Sequence, residues 1–112
     1  MNQSLSTAER IRRRVDFQEV YSRGMRLQGR YMTLFILPNR LGVSRLGVAA
    51  TRKLGGAVQR NRAKRLVREI FRRNKPGSGL DVVVAPRREL LDAPLTSLEV
   101  DYKAILRRRG RP

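Results

Sequence analysis

Residues 57–85 read Ala57-Val58-Gln59-Arg60-Asn61-Arg62-Ala63-Lys64-Arg65-Leu66-Val67-Arg68-Glu69-Ile70-Phe71-Arg72-Arg73-Asn74-Lys75, then Pro76-Gly77-Ser78-Gly79, then Leu80-Asp81-Val82-Val83-Val84-Ala85. Ala63, Leu66, Val67, Ile70 and Phe71 recur at i, i+3, i+4, i+7 and i+8, so the spacing predicts an amphipathic helix from Ala57 to about Arg73. The Pro-Gly-Ser-Gly run ends it, because proline cannot continue the helix and glycine favours turns. Val82-Val83-Val84 is a near-continuous β-branched run, the pattern of a strand buried on both faces, and Pro86 closes it. A helix between this strand and an earlier one makes a βαβ crossover, and with it an α/β fold.

Upstream, Arg45 to Arg52 reads as that earlier strand. Leu46, Val48 and Ala50 share one face, while Gly47, Ala49 and Thr51 keep the other small enough for something large to lie against it. Arg30 to Leu37 reads as another strand, with Met32, Leu34 and Ile36 on one side and Tyr31, Thr33, Phe35 and Leu37 on the other. Pro38-Asn39-Arg40 breaks it, and the two strands are expected to be antiparallel neighbours, with Val43 starting a further short strand. Lys53-Leu54-Gly55-Gly56 is a turn. Asp16 to Arg23 reads as a short helix, opened by an Asp16/Glu19 capping box and closed by a left-handed Gly24. Phe17, Val20 and Tyr21 share one face of it.

Downstream, Glu89 to Leu91 reads as a helical turn. Thr96 and Glu99 form a capping box before a last helix bearing Leu98, Tyr102, Ile105 and Leu106. The whole chain, 1–112, is expected to be a single domain. Residues 1–13 are its basic, peripheral N-terminal arm and 107–112 its flexible basic tail. The element order gives a mixed sheet packed against helices, an α/β (α+β) two-layer sandwich.

Charge narrows the function. The chain has 26 Lys plus Arg against 9 Asp plus Glu and a formal net charge of +17. A compact domain with that excess repels itself, and a polyanion relieves the repulsion. Nucleic acid is the leading candidate, since each phosphate contact also releases a condensed counterion. No run approaches the ~18 apolar residues of a spanning helix, and Met1 to Thr7 lacks a secretory segment, so a cytoplasmic location is expected. Cysteine and histidine are absent, which removes thiolate nucleophiles, Cys/His zinc sites and the usual general base. The carboxylates are scattered, so a self-contained metal nuclease is not expected.

The region from Arg60 to Lys75 sets eight cations against Glu69 alone. At ~100° per residue Arg60, Lys64, Arg68 and Arg72 form one ridge, with Arg65 beside it, roughly opposite the apolar stripe. Like charges at i, i+4 destabilise an isolated helix by ~0.2–0.5 kcal/mol per pair, so stacking them suggests an anionic partner. The predominance of arginine suits bidentate phosphate contacts. Asn61 can cap the helix or hydrogen-bond RNA. Phe17 and Tyr21 can be core residues, as aromatics at helical spacing usually are, or platforms on which unstacked bases lie together with Phe35.

The stretch from Lys53 to Arg68 closely resembles the signature of the bacterial ribonuclease P protein family, an Arg-Asn-Arg run followed by Lys-Arg and preceded by Lys-x-Gly-x-Ala-Val. Asp16-Phe17-Gln18-Glu19-Val20-Tyr21, Gly47-Val48-Ala49 and Asp81-Val82-Val83-Val84-Ala85 are also similar to segments of that family. The resemblance implies a fold like ribosomal protein S5 domain 2, about four strands in a mixed sheet with a left-handed βαβ crossover. It implies a subunit of an endoribonuclease that removes the 5′ leader of precursor tRNA, with catalysis by the RNA subunit and its Mg²⁺ ions and one protein per RNA. By position, Arg52, Lys53, Arg60, Asn61, Arg62, Lys64, Arg65 and Arg68 would contact the catalytic RNA. Phe17, Tyr21 and Phe35 would line a cleft for the leader of the precursor tRNA. The alternative is a ribosomal or other structural RNA-binding protein. A DNA-binding recognition helix ranks lower, for want of a helix-turn-helix spacing.

Overall fold

The computed structural model describes residues 5–77 and 79–109. Its elements are α1 (Arg14–Arg23), β1 (Met25–Gln28), β2 (Met32–Pro38), β3 (Arg45–Val48), α2 (Ala57–Arg73), β4 (Leu80–Pro86) and α3 (Leu95–Arg108). Single 3₁₀ turns lie at Thr7–Glu9, Arg52–Leu54 and Arg88–Asp92. The strands form one sheet in the order β1-β2-β4-β3. β4 is antiparallel to β2 and parallel to β3, to which α2 connects it.

The expected pairing of β2 with β3 is therefore corrected. The two run in opposite directions, but β4 lies between them. Its apolar run explains the placement: Val82, Val83 and Val84 are all fully buried, and only a central strand can bury both faces. β1 is the strand that the sequence reading passed over. It is short, mostly exposed, and among the described residues pairs with β2 alone, Arg26 opposite Phe35. Val43 starts no strand, and β3 ends at Val48 rather than Arg52.

The two faces are covered unequally. Leu34 and Ile36 of β2, Leu46 of β3, and Val82 and Val84 of β4 meet α2 and α3 in the main core, with Phe71, Leu98 and Tyr102 fully buried. Among the described residues the opposite face is covered by one helix, α1, and by the N-terminal segment: Val20 of α1 joins Val83 and Ile11 in a second cluster flanked by Phe17, Phe35, Leu37 and Ala49. The small face expected on β3 has its large neighbour: the Phe17 ring lies so close to Gly47 that a Cβ there would sit 2.7 Å from it.

Helix ends depart from the sequence reading by a residue or two. α1 starts at Arg14 with Arg13 as N-cap, so Asp16 lies in the first turn and accepts from Arg13 Nε at 3.3 Å instead of capping. Gly24 is extended (φ −79°), not left-handed. Glycine is required there by crowding, since a Cβ would fall 2.4 Å from the Val20 carbonyl oxygen. Pro94 caps α3, so Thr96 sits inside the helix and makes no capping box. Tyr31 precedes β2, and its N–H donates to Asp101 of α3 at 2.9 Å.

The N-terminal segment is not a peripheral arm where it is described. Leu5 is buried in the main core, Ile11 in the second cluster, and Ile11 N–H donates to the Leu46 carbonyl at 2.9 Å. Residues 5–13 thus strap the outer edge of β3, and Glu9 ties the strap to Lys75 just past α2. Residues 1–4 of the expected arm and 110–112 of the expected tail lie outside the described residues. Arg107 and Arg108 belong to α3, and Arg108 donates to the Gln28 carbonyl.

The strap gives a pH prediction. The hydrogen bond from Lys75, and then the one from the Ser6 N–H, hold the Glu9 carboxyl below its ordinary value. A depressed carboxyl stabilises the fold above its unfolded pKa, and that contribution is lost as pH falls through the folded one. Lys75→Ala is expected to lower Tm at about pH 6, and the difference from wild type should shrink as pH falls below about 4.5. A difference independent of pH, in calorimetry across that range, would detach Glu9 from the effect.

Candidate nucleic-acid interface

α2 divides its cations into two groups. In its C-terminal half Glu69 pairs with Arg72 at 2.7 Å and Arg73 at 2.8 Å, and Glu99 of α3 accepts from Asn74 at 2.7 Å. Those arginines are committed to the fold. In the N-terminal half Arg60, Arg62, Lys64, Arg65 and Arg68 form no salt bridge among the described residues. Their carrier is fixed from beneath by Ala63, Val67 and Ile70, all buried. The ridge expected through Arg72 is therefore cut short: its outer end carries its own counter-ion.

Asn61 is exposed in the second turn of α2, whose N-cap is Gly56. The capping alternative is thereby excluded. The work near the cap falls to Gln59, whose Oε1 accepts from the Gly56 N–H at 3.0 Å. Arg52 and Lys53 are exposed in the 3₁₀ turn that leads into α2, which buries Leu54 and reverses at Gly55 (φ 125°). The eight basic-site residues named from sequence thus occupy one continuous segment, Arg52 to Arg68, with their carrier pinned to the sheet.

The three aromatics are brought together on the other face. Tyr21 meets Phe35 edge-on with ring centroids 5.0 Å apart, and Phe17 lies 6.4 Å from Tyr21. Tyr21 remains 42% exposed, enough ring for a base to cover. Burial raises its phenol above the ordinary value, so the hydroxyl is a protonated donor at neutral pH. Phe17 is half-buried against Gly47, while Tyr21 faces solvent.

Three features escaped the sequence reading. Arg26 of β1 is exposed on the aromatic face opposite Phe35, and finding it required the missed strand. Arg10 lines the same depression as Lys64, Arg68 and Phe17, and thereby joins the basic segment to the aromatic face. Arg45 pairs with Asp81 through two bonds of 2.8 and 2.7 Å and reaches Asp16 of α1 at 3.7 Å, so one guanidinium ties α1 to the sheet. Asn39 adds a 2.7 Å bond to Asp81. Among the described residues no three carboxylates gather as a metal site, and no helix is long and apolar enough to cross a membrane.

Residues 5–110 match the sequence profile of the family described as Ribonuclease P. The chain is 46% identical over 92 residues to the ribonuclease P protein component of Thermotoga maritima, covering 80% of this chain and 79% of that protein. The solved T. maritima RNase P protein superimposes with a TM-score of 0.80 at 39% identity, over 89% of this chain and 96% of that one. The Staphylococcus aureus RNase P protein gives 0.82 at 29% identity, over 93% and 97%.

Proposed function

Because the chain belongs to the ribonuclease P protein family, and so is a subunit of the endoribonuclease that removes the 5′ leader of tRNA, we propose that it holds two RNAs on two faces. The basic segment Arg52, Lys53, Arg60, Asn61, Arg62, Lys64, Arg65 and Arg68 binds the catalytic RNA. Phe17, Tyr21 and Phe35 receive the single-stranded leader of precursor tRNA. One protein serves one RNA, in the cytoplasm.

The observation that carries this reading is the juxtaposition of five uncommitted cations on α2 with an aromatic surface on the sheet face that α1 covers only in part. The cations offer guanidinium groups to phosphates, and each contact releases counterions. The rings offer stacking worth ~1–3 kcal/mol per base, with little dependence on base identity. That tolerance suits a leader whose sequence varies from one precursor to another. Among the described residues no three carboxylates gather around one point. The chemistry and its Mg²⁺ ions are assigned to the RNA subunit, and the protein binds and orients.

Reconstitution with a bacterial ribonuclease P RNA tests the reading. At low Mg²⁺ the protein should stimulate precursor cleavage over RNA alone; no stimulation would refute it. Tyr21→Ala should weaken precursor binding by about tenfold only when a leader is present, from the loss of one stacked base. An equal loss with mature tRNA would return Tyr21 to a purely structural role.

A further inference from the structure

The strap brings a third cation to α2 in a way that the fold alone does not explain. Arg10 forms a bridge with Leu46 at the outer edge of β3, and its side chain enters the space between that edge and α2. Arg10 Nε is buried and has no hydrogen-bond partner among the described residues. Lys64 and Arg68, one turn apart on α2, line the same depression, of about 540 Å³. Arg12 lines it too, and among the described residues no carboxylate does. A second depression of about 370 Å³ shares Arg10, Lys64 and Arg68; its one carboxylate, Glu69, is already held by Arg72 and Arg73. Burial, and then the charge of Arg10, push the Arg68 guanidinium below its ordinary value.

Gathering like charges in a half-buried place, one with an orphaned N–H donor, destabilises the free protein. A tetrahedral anion bound to the Arg10 guanidinium would ease both costs, giving that group an acceptor while offsetting part of the positive charge gathered around it. Phe17 and Gly47 line the larger depression as well, so it continues into the aromatic face. A polymer lying over Tyr21 and Phe35 can therefore run on into it, which favours an RNA backbone over a free ion.

We propose that Arg10, Lys64 and Arg68 form the seat of one phosphodiester of the 5′ leader, at the seam between the aromatic face and the basic helix. The proposal rests on the reading that the leader crosses the aromatic face. It assigns Arg10, which lies outside the basic segment, a binding role. It also gives Lys64 and Arg68 a second neighbour besides the catalytic RNA.

The test uses holoenzyme reconstituted from the full chain and precursor tRNAs that each carry a single uncharged methylphosphonate linkage at successive leader positions. With the wild-type protein one linkage should cost about five- to tenfold in precursor affinity. With Arg10→Gln the unmodified precursor should lose a similar factor, and that linkage should no longer matter. Arg10→Lys, which keeps the charge but lacks Nε, should fall between. Mature tRNA and the catalytic RNA should bind all three proteins alike.

The proposal is overturned if every linkage affects wild type and Arg10→Gln equally. It is also overturned if Arg10→Gln weakens the catalytic RNA or mature tRNA as much as the precursor, which would assign the seat to the catalytic RNA. In either case a leader-dependent loss in Tyr21→Ala would leave the broader reading standing.

Discussion

Replacing Arg60, Arg62 and Arg65 together by glutamine is expected to weaken binding of the catalytic RNA by about two to three orders of magnitude at physiological salt. Each contact of a charged donor with phosphate contributes on the order of 1 kcal/mol or more net, and three such losses compound. The dependence of log K on log salt should become shallower by about two to three units, since three phosphates no longer release counterions. The fold should not suffer. None of the three makes a salt bridge among the described residues, and glutamine is nearly as good a helix former as arginine. Filter-binding titrations at several salt concentrations, with circular dichroism as the folding control, decide the matter. An unchanged slope in a folded variant would remove this segment from the RNA contacts.

Asp81→Ala is expected to destabilise the fold by about 3 kcal/mol or more, lowering Tm by on the order of 10 °C. Asp81 is 5% exposed and receives Arg45 through two bonds and Asn39 through one. Those hydrogen bonds hold the Arg45 guanidinium above its ordinary value. Removing the carboxylate strands a half-buried cation, which costs more than the pair contributes when intact. The double change Arg45→Met with Asp81→Leu should therefore be less damaging than Asp81→Ala alone. Denaturant titration of the three variants checks the order. If the double variant were the worst, hydrophobic replacement would fail and the pair would be a net source of stability. Since Arg45 also reaches Asp16, Asp81→Ala should loosen α1 and reduce leader-dependent affinity in whatever fraction remains folded.

The elements with strong periodicity were legible in the sequence. α2 has the bounds that its apolar stripe predicts, and Leu98, Tyr102 and Ile105 are buried as their spacing requires. Strand adjacency was not legible. Alternation gives the face of each residue, but the position of β4 between β2 and β3 is set by tertiary packing. β1 was missed because a four-residue edge strand with exposed side chains has hardly any hydrophobic pattern.

The site divided in the same way. The basic segment is contiguous and could be read directly. Arg10 lies beside it only because a single backbone bridge brings residue 10 next to residue 46, and no local pattern announces such a contact. The commitment of Arg72 and Arg73 to Glu69 was latent in the i+3 and i+4 spacing, but excess charge masked it.

The sheet's order also constrains how the protein is made. β4, which both β2 and β3 need as a partner, is built from residues 80–86, which are translated after them. Until they leave the ribosome, β3 has no strand to pair with, and α2 emerges with its charge exposed and its apolar stripe uncovered. Such late, non-local closure slows folding. A nascent chain stalled before residue 80 would therefore hold a basic amphipathic helix beside ribosomal RNA, with no sheet to dock on.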